Sequence, residues 1–320
     1  MERPKLLAVT PNDIPSNFPI SPPPPRRGSW RGWTALLVPL VAIVSLGTAC
    51  GRPTPSPVVP VVPTDTTPTV MSRESITLTT SDNVRIAGHW YPIAEPKGWA
   101  LLLHMMPATK ESYGKLAEEL QRRGIASLAI DFRGHGESQG GQAGYVRFTD
   151  TEHQAKINDV RAAMLWIEDN AEKSAKLPKE YGKAPPANYI LPRLVVVGAS
   201  IGANLALQLL EEEAGLAGVV LLSPGLDYRG VKTDAIARAI RDHESRDREQ
   251  QGRLSPLLLA AGGADDRYST ETVHALAQIL EGRVTIKSFG NAGHGTTMFE
   301  REPALLTEVA EWITDRMTNS

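Results

Sequence analysis

The chain has 320 residues, with 34 Lys and Arg against 36 Asp and Glu, a formal net charge of −2, 41% hydrophobic residues and 22% charged ones. That balance suits an ordinary globular core, and the basic residues are scattered rather than gathered in one stripe, which argues against nucleic acid as a partner. A single cysteine, Cys50, excludes an intrachain disulfide and any cysteine-based metal cluster.

The first seventy or so residues differ in kind from the rest. Pro22 to Pro25 stand in a row, Arg26, Arg27 and Arg31 follow, and the apolar run TALLVPLVAIVSLGTA leads directly into Cys50. A basic flank, a short apolar run and small residues before a cleavage point are the parts of an export signal, and this run, interrupted by Pro39, is short for a spanning helix. The ending LGTAC resembles a bacterial lipoprotein signal, in which the cysteine becomes the lipid-modified first residue of the mature protein. It departs from that pattern in having Gly47 where Leu is usual, with Leu46 one place further back. Cleavage before Cys50 is the preferred reading and an uncleaved membrane anchor the alternative; both place the remainder outside the cytoplasm, held at a membrane. The Arg26-Arg27 pair reads as positive charge rather than as a twin-arginine signal. After Cys50, GRPTPSPVVPVVPTDTTPTV cannot sustain a helix or a central strand and is expected to run as an extended spacer. The expected layout is therefore a targeting segment over 1–49, a linker over 50–70 and one folded domain over 71–320.

Within that domain, short continuous apolar runs alternate with longer periodic ones, as buried parallel strands and amphipathic helices do. ESITLTTSDNVRIAGHWYPI reads as two or three edge strands with a turn at Asp82-Asn83. WALLLHMM is a buried strand, and SYGKLAEELQRRG a helix closed by Gly124. IASLAIDFRGHG gives the next strand and loop. EHQAKINDVRAAMLWIEDN follows as one helix with Ile157, Val160, Ala163, Met164 and Ile167 on one side. LVVVGAS is a strand entering the helix IGANLALQLLEEE; AGVVLLSP and PLLLAAGG are two more strands; TVHALAQIL and PALLTEVAEWITDRM are helices around a last strand, RVTIKSF. The alternation predicts a mostly parallel sheet with helices on both faces, in one domain of about 250 residues.

In such a sheet, chemistry gathers outside the carboxyl ends of the strands, and Ser200 in VVVGASIGAN sits at one of them. A tight strand-to-helix turn needs small residues two places either side of its apex, which Gly198 and Gly202 supply, and the helix N-terminus brings backbone N–H groups beside the serine. Taken alone, the motif is also compatible with plain packing at a helix start, with Ser200 as N-cap. A serine hydroxyl is a weak nucleophile and needs a base that is itself oriented by an acid. Asp265-Asp266 ends a strand in LLLAAGGADDRYS, and His294 follows the last strand in IKSFGNAGHGTT, in the order Ser, Asp, His.

From about Ile76 to Ile313 the chain resembles the α/β-hydrolase superfamily. LLLHMMP is similar to the family's oxyanion strand and loop, DFRGHGES to the loop after the next strand, GASIG to the nucleophile elbow, GGADDRYS to the acid loop and GNAGHG to the histidine loop. The resemblance implies an α/β-hydrolase fold with Ser200 as nucleophile and His294 as general base. Asp266 is preferred over the adjacent Asp265 as the acid, with Asp227 as the location used by some relatives. It implies an oxyanion hole from the backbone N–H groups of Ile201 and Met106. The family commonly has glycine where this chain has Met105, which leaves Met105 open as the second donor. By the same resemblance His104 braces the oxyanion loop, His135 orders a neighbouring loop and Arg133 pairs with a carboxylate or carbonyl there. His89, His153, His243 and His274 lack metal-ligand spacing and are read as ordinary residues; no phosphate-binding glycine loop or zinc pair is visible, and no metal or cofactor is expected. The run RAIRDHESRDREQQGR reads as a solvated helix face and loop.

The function implied is that of a serine hydrolase, with a carboxylesterase for short to moderately bulky small-molecule esters preferred. The stretch between Pro224 and Leu254 has room for one helix and a loop but not for a cap domain, and residues 171–193 read as a surface excursion. A lipase or peptidase of the same fold, or a non-catalytic envelope-binding lipoprotein, are the other readings.

Overall fold

The structure is a computed structural model that describes residues 72–141, 143–174, 193–213, 215–247 and 255–318. Cys50, the apolar run before it, the Pro- and Thr-rich stretch after it and nearly all of 171–193 lie outside the described residues.

Eight strands form one sheet. β1 (Glu74–Thr79) and β2 (Arg85–Tyr91) make an antiparallel hairpin at one edge, and β2 pairs antiparallel with β4 (Ile125–Ile130). From there β3 (Gly98–Leu103), β5 (Leu194–Ala199), β6 (Gly218–Leu222), β9 (Leu257–Ala261) and β10 (Val284–Ser288) run parallel, so the order is β1-β2-β4-β3-β5-β6-β9-β10. The central strands are buried along their whole length, which is why they read as unbroken apolar runs rather than alternating ones.

Alternate residues of these strands serve two separate cores. Leu101, Leu103 and Val196 join one; Ala100, Leu102, Val195 and Val197 join the other. The first is closed by α3 (Ile157–Ser174), α4 (Ile201–Glu212) and α6 (Arg267–Ile279), through Val160, Ile167, Leu205, Leu209, Val273 and Leu276. The second is closed by α1 (Gly114–Arg122) and α8 (Pro303–Thr318), through Leu116, Leu120, Leu305, Val309 and Ile313. Each fully buried Leu, Ile or Val contributes about 1.5–3 kcal/mol of transfer free energy, so both sheet faces are strongly fixed. The predicted side of α3 is the one observed: Ile157, Val160, Ala163, Met164 and Ile167 all enter the first core.

Two features differ from the sequence reading. The single helix expected over 152–170 is broken into α2 (Asp150–Gln154) and α3, and the break at Ala155-Lys156 turns the Lys156 side chain fully inward. Between Pro224 and Leu254 a small antiparallel ribbon precedes the helix: β7 (Asp227–Tyr228) and β8 (Val231–Lys232), then α5 (Thr233–Asp247), which packs on α4 and α6. Arg229 and Gly230 link the two short strands, both with positive φ (56° and 82°) as the two-residue turn of a right-twisted hairpin requires. No helix among the described residues is long and apolar enough to cross a membrane.

Candidate active site

Ser200 follows β5, which lies between β3 on one side and β6, β9 and β10 on the other. Its backbone has φ 54° and ψ −119°, a region an L-residue occupies only when the surroundings impose it. Those surroundings are a close approach of strand, turn and helix. A Cβ on Gly198 would stand 2.1 Å from the Gly202 oxygen, and one on Gly202 would stand 2.3 Å from the Leu103 oxygen. Only glycine permits α4 to start this near to β5 and β3. The Ser200 N–H donates to Leu222 O at 2.9 Å, tying the apex to β6. The Ile201 and Met106 N–H groups, by contrast, have no hydrogen-bond acceptor among the described residues.

Met106 sits on the loop after β3, and that loop is braced from below. The Phe132 N–H donates to His104 Nε2 at 3.0 Å, so Nδ1 carries the proton and donates to Met105 O at 2.8 Å. His104 is fully buried, and desolvation holds its pKa down to about 3, which keeps the ring neutral and this hydrogen-bond pattern fixed. Further along, Asp131 accepts from the Lys110 N–H at 2.8 Å, from Lys110 Nζ at 2.7 Å and from the Glu137 N–H at 2.9 Å, joining the loops after β3 and β4. Arg133 bonds Asp159 and Asp82, and His135 stacks on Tyr145 with ring centroids 4.2 Å apart.

The two adjacent aspartates after β9 face different partners. Asp266 Oδ1 accepts from His294 Nδ1 at 2.9 Å. Asp265 instead accepts from the Gly293 N–H at 3.1 Å and from Arg301 at 2.6 Å, so it secures the histidine loop without touching the ring. Asp227 accepts from the Gly230 N–H at 2.7 Å within the ribbon turn. Burial pushes the Asp266 carboxyl up, but the hydrogen bond with His294 and the nearby hydroxyls of Ser223 and Ser269 outweigh it and leave the pKa below the usual value. Oδ2 of Asp266 is buried and has no partner at full hydrogen-bond geometry.

The histidine loop is pinned on several sides. Gly295 N–H donates to Ser223 Oγ at 2.8 Å, Ala292 N–H to Gly262 O at 2.9 Å, and the His294 N–H to Thr297 Oγ1 at 2.9 Å. A Cβ on Gly295 would lie 2.6 Å from Met105 Sδ and 3.3 Å from the Ala199 Cβ, so the loop abuts both the elbow and the loop after β3. Ser200, Asp266, His294 and the Met106–Ile201 amides thus share one rim of the sheet.

Tyr228 is a residue that the sequence reading missed. It lies on the β7–β8 ribbon, with its hydroxyl 3.3 Å from Ser269 Oγ and its ring edge-on to His294, centroids 6.3 Å apart at 87°. The legible signal was the hairpin pattern DYRGVK, with Gly at the second turn position. Among the described residues no cluster of His, Cys, Asp and Glu could hold a metal ion.

A family profile described as serine aminopeptidase, S33, matches residues 94–243, a span that includes Met106, Ser200 and Tyr228 but not Asp266 or His294. The uncharacterized protein YfhR of Salmonella typhi is 25% identical over 225 residues, covering 66% of this chain and 72% of that protein. Among solved structures, the esterase Pf2001 of Pyrococcus furiosus is similar with a TM-score of 0.56 and 22% identity, over 77% of this chain and 93% of that one. Dienelactone hydrolase of Anabaena variabilis is similar with a TM-score of 0.52 and 18% identity, over 78% of this chain and 97% of that one. With the strand order and the loops described above, these likenesses show that the chain has the α/β-hydrolase fold.

Proposed function

We propose that the protein is a serine hydrolase that cleaves carboxylic esters of small to moderate size through an acyl-enzyme on Ser200. The observation that carries this reading is the Asp266–His294 hydrogen bond at 2.9 Å beside a serine held at φ 54° on a strand-to-helix turn. Ser200 Oγ attacks the carbonyl carbon while His294 Nε2 takes its proton; Asp266 fixes the tautomer and stabilises the imidazolium. The Met106 and Ile201 N–H groups receive the oxyanion, each worth about 10²–10³ in rate. His294 then gives its proton to the departing alcohol oxygen, and water repeats the sequence on the acyl-enzyme.

A peptidase is the second reading, favoured by the family profile. An aminopeptidase has to bind a free α-ammonium, yet the two aspartates on the loop after β9 are already engaged, Asp266 with His294 and Asp265 with Arg301. The test is a panel of p-nitrophenyl esters of increasing acyl length run beside aminoacyl p-nitroanilides. Ester turnover that Ser200→Ala abolishes is expected; anilide turnover exceeding ester turnover would assign a peptidase. No turnover of either class would favour the binding-protein reading.

The same proposal includes export and attachment to a membrane through a lipid-modified Cys50. Mass analysis of the mature N-terminus is expected to show a diacylated cysteine; an unprocessed chain would instead indicate an uncleaved anchor.

A further inference from the structure

The ribbon that carries Tyr228 is held to the helix of the nucleophile by a dedicated clamp. Asn204, one turn into α4 from Ser200 and fully buried, donates to Gly225 O at 2.9 Å and to Val231 O at 2.8 Å, and accepts from the Gly225 N–H at 3.0 Å. Thr233 Oγ1 donates to the same Gly225 oxygen at 2.7 Å. On the outer side, the Asp227 N–H donates to the Tyr268 hydroxyl at 2.9 Å, and the Tyr268 ring packs edge-on against that of Tyr228 at 5.7 Å. The ribbon is therefore bolted to the helix that carries Ser200, and the phenol keeps its place relative to Oγ.

The sheet order says which side of the reaction that place serves. β3, with the Met106 loop, flanks β5 on one side; β6, which leads to Tyr228, and β9, which leads to Asp266, lie on the other. The oxyanion is received on the first side, so the alcohol leaves on the second, where His294 must deliver its proton. The Tyr228 phenol shares that side, with its hydroxyl 3.3 Å from Ser269 Oγ and its ring edge-on to that of His294, centroids 6.3 Å apart. We propose that Tyr228 is a further catalytic residue, whose O–H donates a hydrogen bond to the alcohol oxygen of the ester as the carbon–oxygen bond breaks.

Burial pushes the phenol pKa up, beyond the lowering effect of its hydroxyl neighbours, so the group stays protonated as a donor. The step balances without a further reactant. The tetrahedral intermediate collapses to the acyl-enzyme, the alcohol oxygen takes the bond pair and then the proton from His294 Nε2, and Tyr228 keeps its own proton. This role rests on the acyl-enzyme reading above.

The test compares kcat/KM, which reports acylation, for an alkyl and a p-nitrophenyl ester of the same acid, in wild type and Tyr228→Phe. A poor leaving group needs the donor and a good one does not. The variant is expected to lose about 10- to 30-fold on the alkyl ester and to stay within about threefold of wild type on the aryl ester. Phenylalanine keeps the ring contacts with Tyr268 and His294, and an unchanged melting temperature checks this. Equal losses on both esters, or no loss on either, would overturn the role of Tyr228 alone. A wild-type chain that cleaves neither ester would remove the acyl-enzyme reading and the role of Tyr228 with it.

Discussion

Lys156 Nζ lies 3.7 Å from Met106 Sδ, so a buried amine stands against the loop assigned one of the two oxyanion donors. Its other partners are His153 Nδ1 at 3.0 Å and the faces of Phe132 and Phe148, each 5.8 Å from the ring centroid. Among the described residues no carboxylate comes within ion-pair distance of it. Burial pulls its pKa down to about 7 from 10.5, with Asp159 opposing and Arg133 and Arg229 adding to the fall.

That depression sets the sign of a stability prediction. Between about pH 7 and 10.5 the unfolded chain binds a proton at Lys156 that the folded chain does not, so this site adds stability as pH rises through that window. Below pH 7 both states are protonated and the cost of burying the charge is fully present. Lys156→Met keeps the stem and removes the amine. It is expected to unfold at higher urea concentration than wild type at pH 6, by an amount on the order of a few kcal/mol, with the gap closing towards pH 10. A gap that is constant with pH, or largest at pH 10, would contradict the assignment.

Asp265 and Asp266 are expected to separate sharply on substitution. Asp266→Asn leaves the loop bonded but takes away the charge behind the imidazole, and should lower kcat by about 10³–10⁴ with little change in KM. Asp265→Asn weakens a half-exposed ion pair with Arg301 and should cost about tenfold or less. Steady-state kinetics on one ester decide it, and the reverse ranking would move the acid to Asp265.

Asn204→Ala should destabilise the fold by about 2–4 kcal/mol, because it strands the Gly225 N–H and the Val231 oxygen in a buried place. Because Asn204 holds the ribbon, the variant should also lose activity that Tyr228→Phe does not lose further when the two are combined. Urea midpoints and a double-mutant cycle measure both; additive losses in kcat/KM would show that the clamp and the phenol act separately.

Gly202→Ala tests the elbow. The added Cβ, 2.3 Å from Leu103 O and 2.8 Å from His104 O, has only backbone to push against. Helix α4 must therefore move away from β3 and carry the Ile201 N–H with it. A stability loss of about 2–3 kcal/mol and a fall in kcat of about 100-fold are expected; wild-type kcat would show that the close approach is dispensable.

The sequence made the central sheet legible because strands buried on both faces leave continuous apolar runs, as in WALLL, LVVV and PLLLAA. Ser200 stood out because it sits between Gly198 and Gly202 directly after such a run, and His294 because it lies between two glycines in the loop after the last strand. Other features depended on contacts between distant segments. The choice between Asp265 and Asp266 turns on which way two consecutive side chains leave one short turn, which spacing alone specifies weakly. Helix 152–170 looked continuous because Lys156 is ordinarily a good helix former with a solvated head; only the pocket of His153, Phe132, Phe148 and Met106 turns it inward and breaks the helix there. Tyr228 was hidden for a similar reason, since a ribbon with two residues per strand carries too little periodicity to register, and its importance comes from Asn204 on another element.

The most direct test of the account is labelling of the full chain with a fluorophosphonate, read by mass spectrometry of the peptides. One adduct on Ser200 is predicted, absent in Ser200→Ala and formed far more slowly in His294→Ala. An unlabelled wild type, or an adduct on a different serine, would contradict the claim that Ser200 is the activated nucleophile.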